Sequence, residues 1–352
     1  MAGHSVGVSQ PHVPTLVGGA SGIDAGAAAA AAAVWREDRR ALRADACGLD
    51  PAVADLPPAT VALLTDGTGP SLQTGLDDRS VALVGLLAPE PLESLAWASS
   101  YQAERAYLDL AALVGDQVEV AVVDLAGATA LRVARRLTDA GLSVVLVRPE
   151  PAPLPVLREL ASAAESAGTA VAAVLPSRLR PAVAVVADLV PRVAPLRQVT
   201  IASWPIGAAA RLDLVDLVRR LAGDIVAVCT APPAMPASSL GEGRPVTLAM
   251  LTSDAVTILV SEVPGGDAAT ALLTASGAGG RLVLQGELVR HQDAGGIRTV
   301  PVTAAPTAAV GRLAGLLAAG ERGSAASVAD LLAASRALEV ARASVEAGWL
   351  ET

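Results

Sequence analysis

The chain has 352 residues, of which 52% are hydrophobic and 17% charged, and carries a formal net charge of -9. That is enough apolar material for two domains with cores of their own, and it excludes a wholly disordered chain. The acidic balance, with arginines scattered among acids and no aromatic interleaving, argues against nucleic acid as a partner.

Lysine, asparagine and phenylalanine are all missing, a usage expected of a GC-rich genome. The loss of lysine has a chemical consequence, because a guanidinium stays protonated above about pH 12 and is no proton donor near neutrality. Cys47 and Cys229 are too few and too far apart for a disulfide framework or a zinc cluster, and His4, His12 and His291 form no metal spacing. The N-terminus lacks a basic start before an apolar core, and no apolar run approaches the roughly 20 residues that span a bilayer. The expectation is a cytoplasmic protein with no membrane segment and no metal.

Residues 1–58 read as an N-terminal extension. An extended piece around Val13 to Val17 precedes a glycine-rich run, Val17 to Asp24, read as a turn rather than a cofactor loop because Asp24 would repel a pyrophosphate. Seven alanines, Ala27 to Ala33, then open a helix expected to reach Ala46, and Pro57 and Pro58 mark a break.

From Ala59, short apolar runs alternate with amphipathic segments in the manner of a doubly wound sheet. The expected strands are Val61 to Leu64, Val81 to Leu87, Val118 to Val123, Ser143 to Val147 and Ala170 to Leu175. Helices are expected at Leu92 to Gln102, Thr129 to Ala140 and Pro155 to Ala167, with another from Arg178 to Pro195 leaving the domain. Period-two segments follow at Gln198 to Trp204, Val246 to Leu251, Ala255 to Val260, Ala268 to Thr274 and Arg281 to Gln285. They predict a mostly antiparallel sheet covered on one face by helices at Gly207 to Leu221 and Val328 to Ala347. The fold class is therefore α/β: a Rossmann-like doubly wound parallel sheet over 59–195, then an α+β domain with an open, mostly antiparallel sheet over 196–352.

Four stretches carry a resemblance: Thr65 to Leu72, Glu104 to Asp124, Gly141 to Glu150, and Leu214 to Gly223. On these, the chain from about Val61 onward resembles the glucose-fructose oxidoreductase and inositol dehydrogenase superfamily (Gfo/Idh/MocA). The resemblance implies an interdomain cleft holding NAD(P), with a Gly-x-Gly-x-x-Gly turn at the phosphates, a ribose-binding acid, a Glu-Lys-Pro tripeptide and an Asp-x-x-x-His-x-x-Asp helix. At the turn, Gly67 and Gly69 remain, but Leu72 replaces the third glycine and Pro70 removes an amide donor. After the second strand stand Ala88, Pro89 and Glu90 instead of a directly placed acid, and the histidine that the resemblance implies after the Val118 to Val123 strand falls on Ala130. The tripeptide reads Val147, Arg148, Pro149, where Pro149 would keep a turn that often contains a cis peptide in the family. Arg148 reads as a structural cation or as a bidentate holder of a carboxylate or phosphate. The helix motif falls on Ala209, Asp213 and Asp216, and its two acids read as part of a solvated ion-pair face with Arg211, Arg219 and Arg220. His291 is expected in a solvent-facing loop.

With these requirements failing together, the chain reads as a degenerate, non-catalytic relative, a pseudoenzyme with no catalytic residue, no bound cofactor and no metal. Gly67, Gly69, Arg148, Pro149, Asp213 and Asp216 are then remnants of the cleft. Its role would be that of a structural or regulatory subunit, forming a homo- or hetero-oligomer through the C-terminal sheet, an active paralogue included among the partners. One alternative is an NAD(P)-dependent oxidoreductase acting on a sugar, polyol or related hydroxy compound, with Tyr101, Tyr107 or Asp213 as proton donor. Another is a small-molecule sensor whose pocket is lined by Arg148 and the Trp204 strand.

Overall fold

The computed structural model describes residues 14–18, 25–46, 58–68, 76, 81–205, 207–231, 247–263, 267, 270–302, 309–320 and 325–346. The first sheet contains β1 (Thr15–Val17), β2 (Ala59–Thr65), β3 (Val81–Leu87), β4 (Arg105–Tyr107), β5 (Val120–Asp124), β6 (Ser143–Leu146), β7 (Val171–Ala173) and a late strand, β16 (Ala326–Ser327). Their order is β1-β4-β3-β2-β5-β6-β7-β16, and every neighbouring pair but the last is parallel. The strands from β4 to β7 follow the doubly wound order in which the chain reverses direction across the sheet between β2 and β5. Because β5, β6 and β7 are covered on both faces, every residue in them is buried and the apolar residues do not alternate with polar ones.

Around this sheet lie α1 (Ala25–Ala46), α2 (Pro91–Tyr101), α3 (Leu110–Val114), α4 (Gly127–Asp139), α5 (Leu154–Ser166), α6 (Pro176–Leu179) and α7 (Pro181–Val193). The helix expected from Arg178 to Pro195 is thus divided. Arg180 is extended, with φ -80 and ψ 120, as a residue before proline prefers, and Pro181 starts a new helix. The strand β4 was not expected as such; it has three residues and lies within the Glu104 to Asp116 stretch.

The leader is built into the sheet. Thr15 N-H donates to Glu104 O at 2.9 Å, and β1 extends the edge beside β4. From α1, the buried Arg36 donates to the carbonyls of Val118 at 2.8 Å, Ala140 at 3.2 Å, Asp116 at 3.3 Å, and Val114. These carbonyls come from the segments that precede β5 and β6, so one guanidinium satisfies acceptors at the base of the sheet that would otherwise be desolvated without a donor. The turn Val17 to Asp24 lies, beyond Gly18, outside the described residues.

The second sheet contains β8 (Leu196–Pro205), β9 (Ile225–Ala231), β10 (Thr247–Thr252), β11 (Thr257–Val263), β12 (Leu272–Gly277), β13 (Gly280–Gln285), β14 (Leu288–Asp293) and β15 (Gly296–Val300). Its order is β15-β14-β13-β12-β8-β11-β10-β9, antiparallel throughout except for β8 beside β11. The helices α8 (Ala208–Ala222) and α10 (Val328–Glu346), together with α7, cover one face. On the other, the register places Leu251, Leu259 and Leu272 on one side of the sheet, and all three are exposed. His291 corrects its expected loop position: it lies in β14, faces inward and is buried, and its Nε2 has no hydrogen-bond partner.

The chain then returns to the first sheet. Helix α9 (Ala309–Ala318) sets Val310, Leu313, Ala314 and Leu317 against Val61, Leu63, Val120 and Val145. After it, β16 joins the β7 edge. No helix among the described residues is long and apolar enough to cross a membrane.

Because Arg36 serves four carbonyls from a buried position, Arg36→Ala should destabilise the protein by about 3 kcal/mol in urea unfolding, within the range for lost charge-assisted hydrogen bonds and orphaned acceptors. A change below about 0.5 kcal/mol would mean that the alanine helix contributes nothing to the fold.

Candidate functional site

In doubly wound sheets, ligands bind beyond the carboxyl ends of the strands where the order reverses. Here that crevice lies between β2 and β5, and the chain's own side chains bridge it. Asp66, just past β2, accepts hydrogen bonds through Oδ1 from Thr68 N at 3.0 Å and Thr68 Oγ at 2.6 Å. Its Oδ2 accepts from Ala126 N at 3.2 Å, across the crevice. Arg148, past β6, donates to Asp66 Oδ1 at 2.7 Å, Thr68 Oγ at 2.9 Å, Asp124 O at 2.9 Å and Asp124 Oδ1 at 2.5 Å. Burial pushes the Asp66 carboxyl up, but the hydrogen bonds from Thr68, Arg148 and Ala126 outweigh it and hold the pKa at about 2. A permanent carboxylate thus occupies the amides of Thr68 and Ala126 at the crevice.

The remaining crevice residues reinforce this arrangement. Gly67 is left-handed, with φ +70, and a Cβ there would stand 3.1 Å from the Trp97 ring, so this glycine admits the α2 tryptophan against the turn. Its N-H donates to Thr65 Oγ at 3.1 Å. Gly69 lies outside the described residues. Pro149 is buried, but its peptide bond is trans; the cis bond among the described residues is Ala194-Pro195, which corrects the expectation from the family turn. Glu150 brings a further carboxylate to the start of α4, 3.6 Å from where a Cβ on Gly127 would lie.

Asp213 and Asp216 lie elsewhere, and the expected solvated face is overturned: both are buried, at 3% and 0% exposure. Their partners come from α6, not from the arginines of their own helix. Asp213 accepts from Ser177 N at 3.1 Å and Ser177 Oγ at 2.6 Å. Asp216 takes both arms of Arg178, at 2.6 and 2.7 Å, and Arg178 continues to Asp330 at 3.1 Å and to Ala325 O at 3.1 Å. Arg211 forms a buried bidentate pair with Glu262 on β11, and Arg219 pairs with Asp224. Helix periodicity could not reveal these partners because they are distant in sequence. A usable signal existed in Ser177 and Arg178 directly after a strand end, where polar side chains need acceptors.

Other proposed participants are engaged in packing. Tyr107 is buried and donates to Asp116 Oδ2 at 2.8 Å; burial, then the adjacent carboxylate, push its hydroxyl well above the usual phenol range. Tyr101 lies in a tilted ring contact with Trp97. Trp204 is buried, with Nε1 donating to Ala210 O at 2.8 Å. No cluster of metal-binding side chains occurs among the described residues.

No family model and no curated protein matches the sequence. Solved structures do match its fold. UDP-N-acetylglucosamine 3-dehydrogenase from Acidithiobacillus ferrooxidans aligns over 83% of this chain and 99% of its own, with 15% identity and a TM-score of 0.70. An oxidoreductase from Agrobacterium radiobacter, in complex with NAD+, L-tartaric acid and magnesium, aligns over 82% and 96%, with 13% identity and a TM-score of 0.68. Aldose-aldose oxidoreductase from Caulobacter crescentus, complexed with glycerol, aligns over 82% and 98%, with 15% identity and a TM-score of 0.68. The chain therefore shares the fold of these oxidoreductases, the fold that its sequence resemblance implied.

Burial raises the Asp213 carboxyl to about 6, and the Ser177 hydrogen bonds lower it only in part. A carboxyl whose folded pKa is raised favours folding while protonated, so its contribution is complete below about pH 4 and is lost as pH rises through about 6. Asp213→Asn keeps a carbonyl for Ser177 and removes the buried charge. It should flatten the stability profile between those limits and raise stability at pH 7 by up to about 3 kcal/mol in urea unfolding. An unchanged pH profile would refute this assignment.

Proposed function

We propose that this chain keeps the oxidoreductase fold without hydride-transfer chemistry, and serves as a structural or regulatory subunit. The observation that carries the reading is the Asp66-Arg148-Asp124 bridge across the crevice. To admit a dinucleotide, the chain would have to break an ion-pair network whose disruption costs on the order of 3 kcal/mol or more when buried, less for its half-exposed members. It would also have to turn the Asp66 carboxylate away from a pyrophosphate of like charge. These residues do not fit that group.

A proton donor is also wanting. Arg148 stands where the resemblance implies a lysine, and a guanidinium does not give up its proton near neutral pH. Tyr107 is committed to Asp116, and Asp213, whose carboxyl lies near 6, is buried against Ser177 with no contact to the Asp66-Arg148-Asp124 bridge. Titration of the purified protein with NADH and NADPH, followed by fluorescence, is expected to give no saturation up to millimolar concentration. Micromolar binding would replace this proposal with that of an NAD(P)-dependent sugar or polyol oxidoreductase.

The surface offered to a partner is the open face of the second sheet. Leu251, Leu259 and Leu272 stand there at 40%, 37% and 38% exposure, and large apolar side chains exposed on one sheet face suit an association surface. Either a second copy or an active paralogue would cover them. Leu259→Arg puts a charge at the middle of that face without entering a core. It should dissociate the native assembly in size-exclusion chromatography with light scattering, at an unchanged melting temperature; an intact assembly would exclude this face.

A further inference from the structure

Away from the crevice, an open groove of about 660 Å3 runs between α5, the end of α8, the start of β9 and the outer side of α10. On α10, Ala329, Leu332, Ala333, Arg336, Ala337 and Val340 recur at three- and four-residue spacing and so form one wall. Val226 opposes them from β9. Val226 and Val340 are 58% and 43% exposed, so both walls leave large apolar side chains in water. An apolar recess of about 100 Å3 adjoins the groove at Val228 and Ala337, bounded further by Val215, Leu248 and Met250.

The charge of this groove opposes that of the protein. Arg158, Arg219 and Arg336 line it, against one acid, Asp224, which Arg219 holds at 2.9 Å. Arg158 and Arg336 meet no carboxylate among the described residues, in a chain whose formal net charge is -9. Arginines come from α5 and α10, so two elements distant in sequence converge on one cationic, apolar-walled space. A volume in the range of about 300 to 1,000 Å3, mostly apolar walls and a few convergent polar groups describe a small-molecule site.

We propose that this groove binds a small organic anion with an apolar body: a carboxylate or phosphate head held by Arg158 and Arg336, and a hydrocarbon portion laid along α10 toward the recess. Guanidinium forks match both head groups bidentately, and the α10 stripe supplies apolar area for the tail. The site is independent of the crevice and of whether a dinucleotide binds there.

The test uses the full chain and 1-anilinonaphthalene-8-sulfonate, an apolar ring system with one anionic group. Saturable binding is expected, weakened tenfold or more in R158Q/R336Q, whose melting temperature should not change because neither arginine has a partner to lose. Binding should be unaffected in Arg290→Gln, which removes a cation from the second sheet away from the groove. Displacement by octyl phosphate or by octanoate then identifies the preferred head group. Absence of saturable binding, equal binding by R158Q/R336Q, an equal loss in Arg290→Gln, or displacement by neither anion would overturn the proposal.

Discussion

The guanidinium of Arg148 organises the top of the first sheet. From the end of β6 it reaches the carboxylates that follow β2 and end β5, so the ends of three neighbouring strands are tied by one side chain at the reversal of the doubly wound order. Planar, permanently charged and able to donate in several directions at once, arginine suits this position better than lysine would. Its partner Asp66 satisfies the amides of Thr68 and Ala126 as well. The same geometry in which related folds receive an external anion is here completed from within the chain, and that substitution underlies the functional proposal.

A second arginine performs the corresponding task at the junction of the two sheets. Arg178 joins α6 to Asp216 on α8 and to Asp330 at the start of α10. Asp330 in turn accepts from Ser327 N at 2.9 Å while Ser327 Oγ accepts from Asp330 N at 3.2 Å, a reciprocal cap that fixes where α10 begins. With Asp213 on Ser177 and Arg211 on Glu262, α8 is held to both α6 and the second sheet by buried polar contacts. Such pairs add specificity of placement more readily than net stability, since desolvation offsets much of their attraction. Their effect on function is to draw the acids of α8 into structural pairing.

Most of the architecture was legible in the residues. Val81 to Leu87, the helix reaching Ala46, and the alternation along β11 each follow from local patterns of apolar residues, and these patterns persist because tertiary packing used them as they stood. What local patterns missed were short or returning elements: β4 has three residues, β16 has two, and α9 is helical in a region whose sequence neighbours belong to the second sheet. Their stability comes from edges and faces supplied by distant segments, which no window along the chain contains.

The candidate site divides in the same way. The absence of lysine and the sequence Val147, Arg148, Pro149 were enough to establish that a protonated guanidinium replaces the expected amine, because side-chain chemistry is a property of the residue. Whether that guanidinium faced a ligand or a carboxylate was a question of which strand ends meet, and only the folded sheet brought Asp66 and Asp124 to it. The acids of α8 show the converse: their spacing suggested exposure beside arginines, and burial against Ser177 and Arg178 reversed it. Composition and periodicity determined the two sheets and the chemistry each position could offer; the long-range pairing of charges, which depends on distances between segments far apart in sequence, was decided by the tertiary structure.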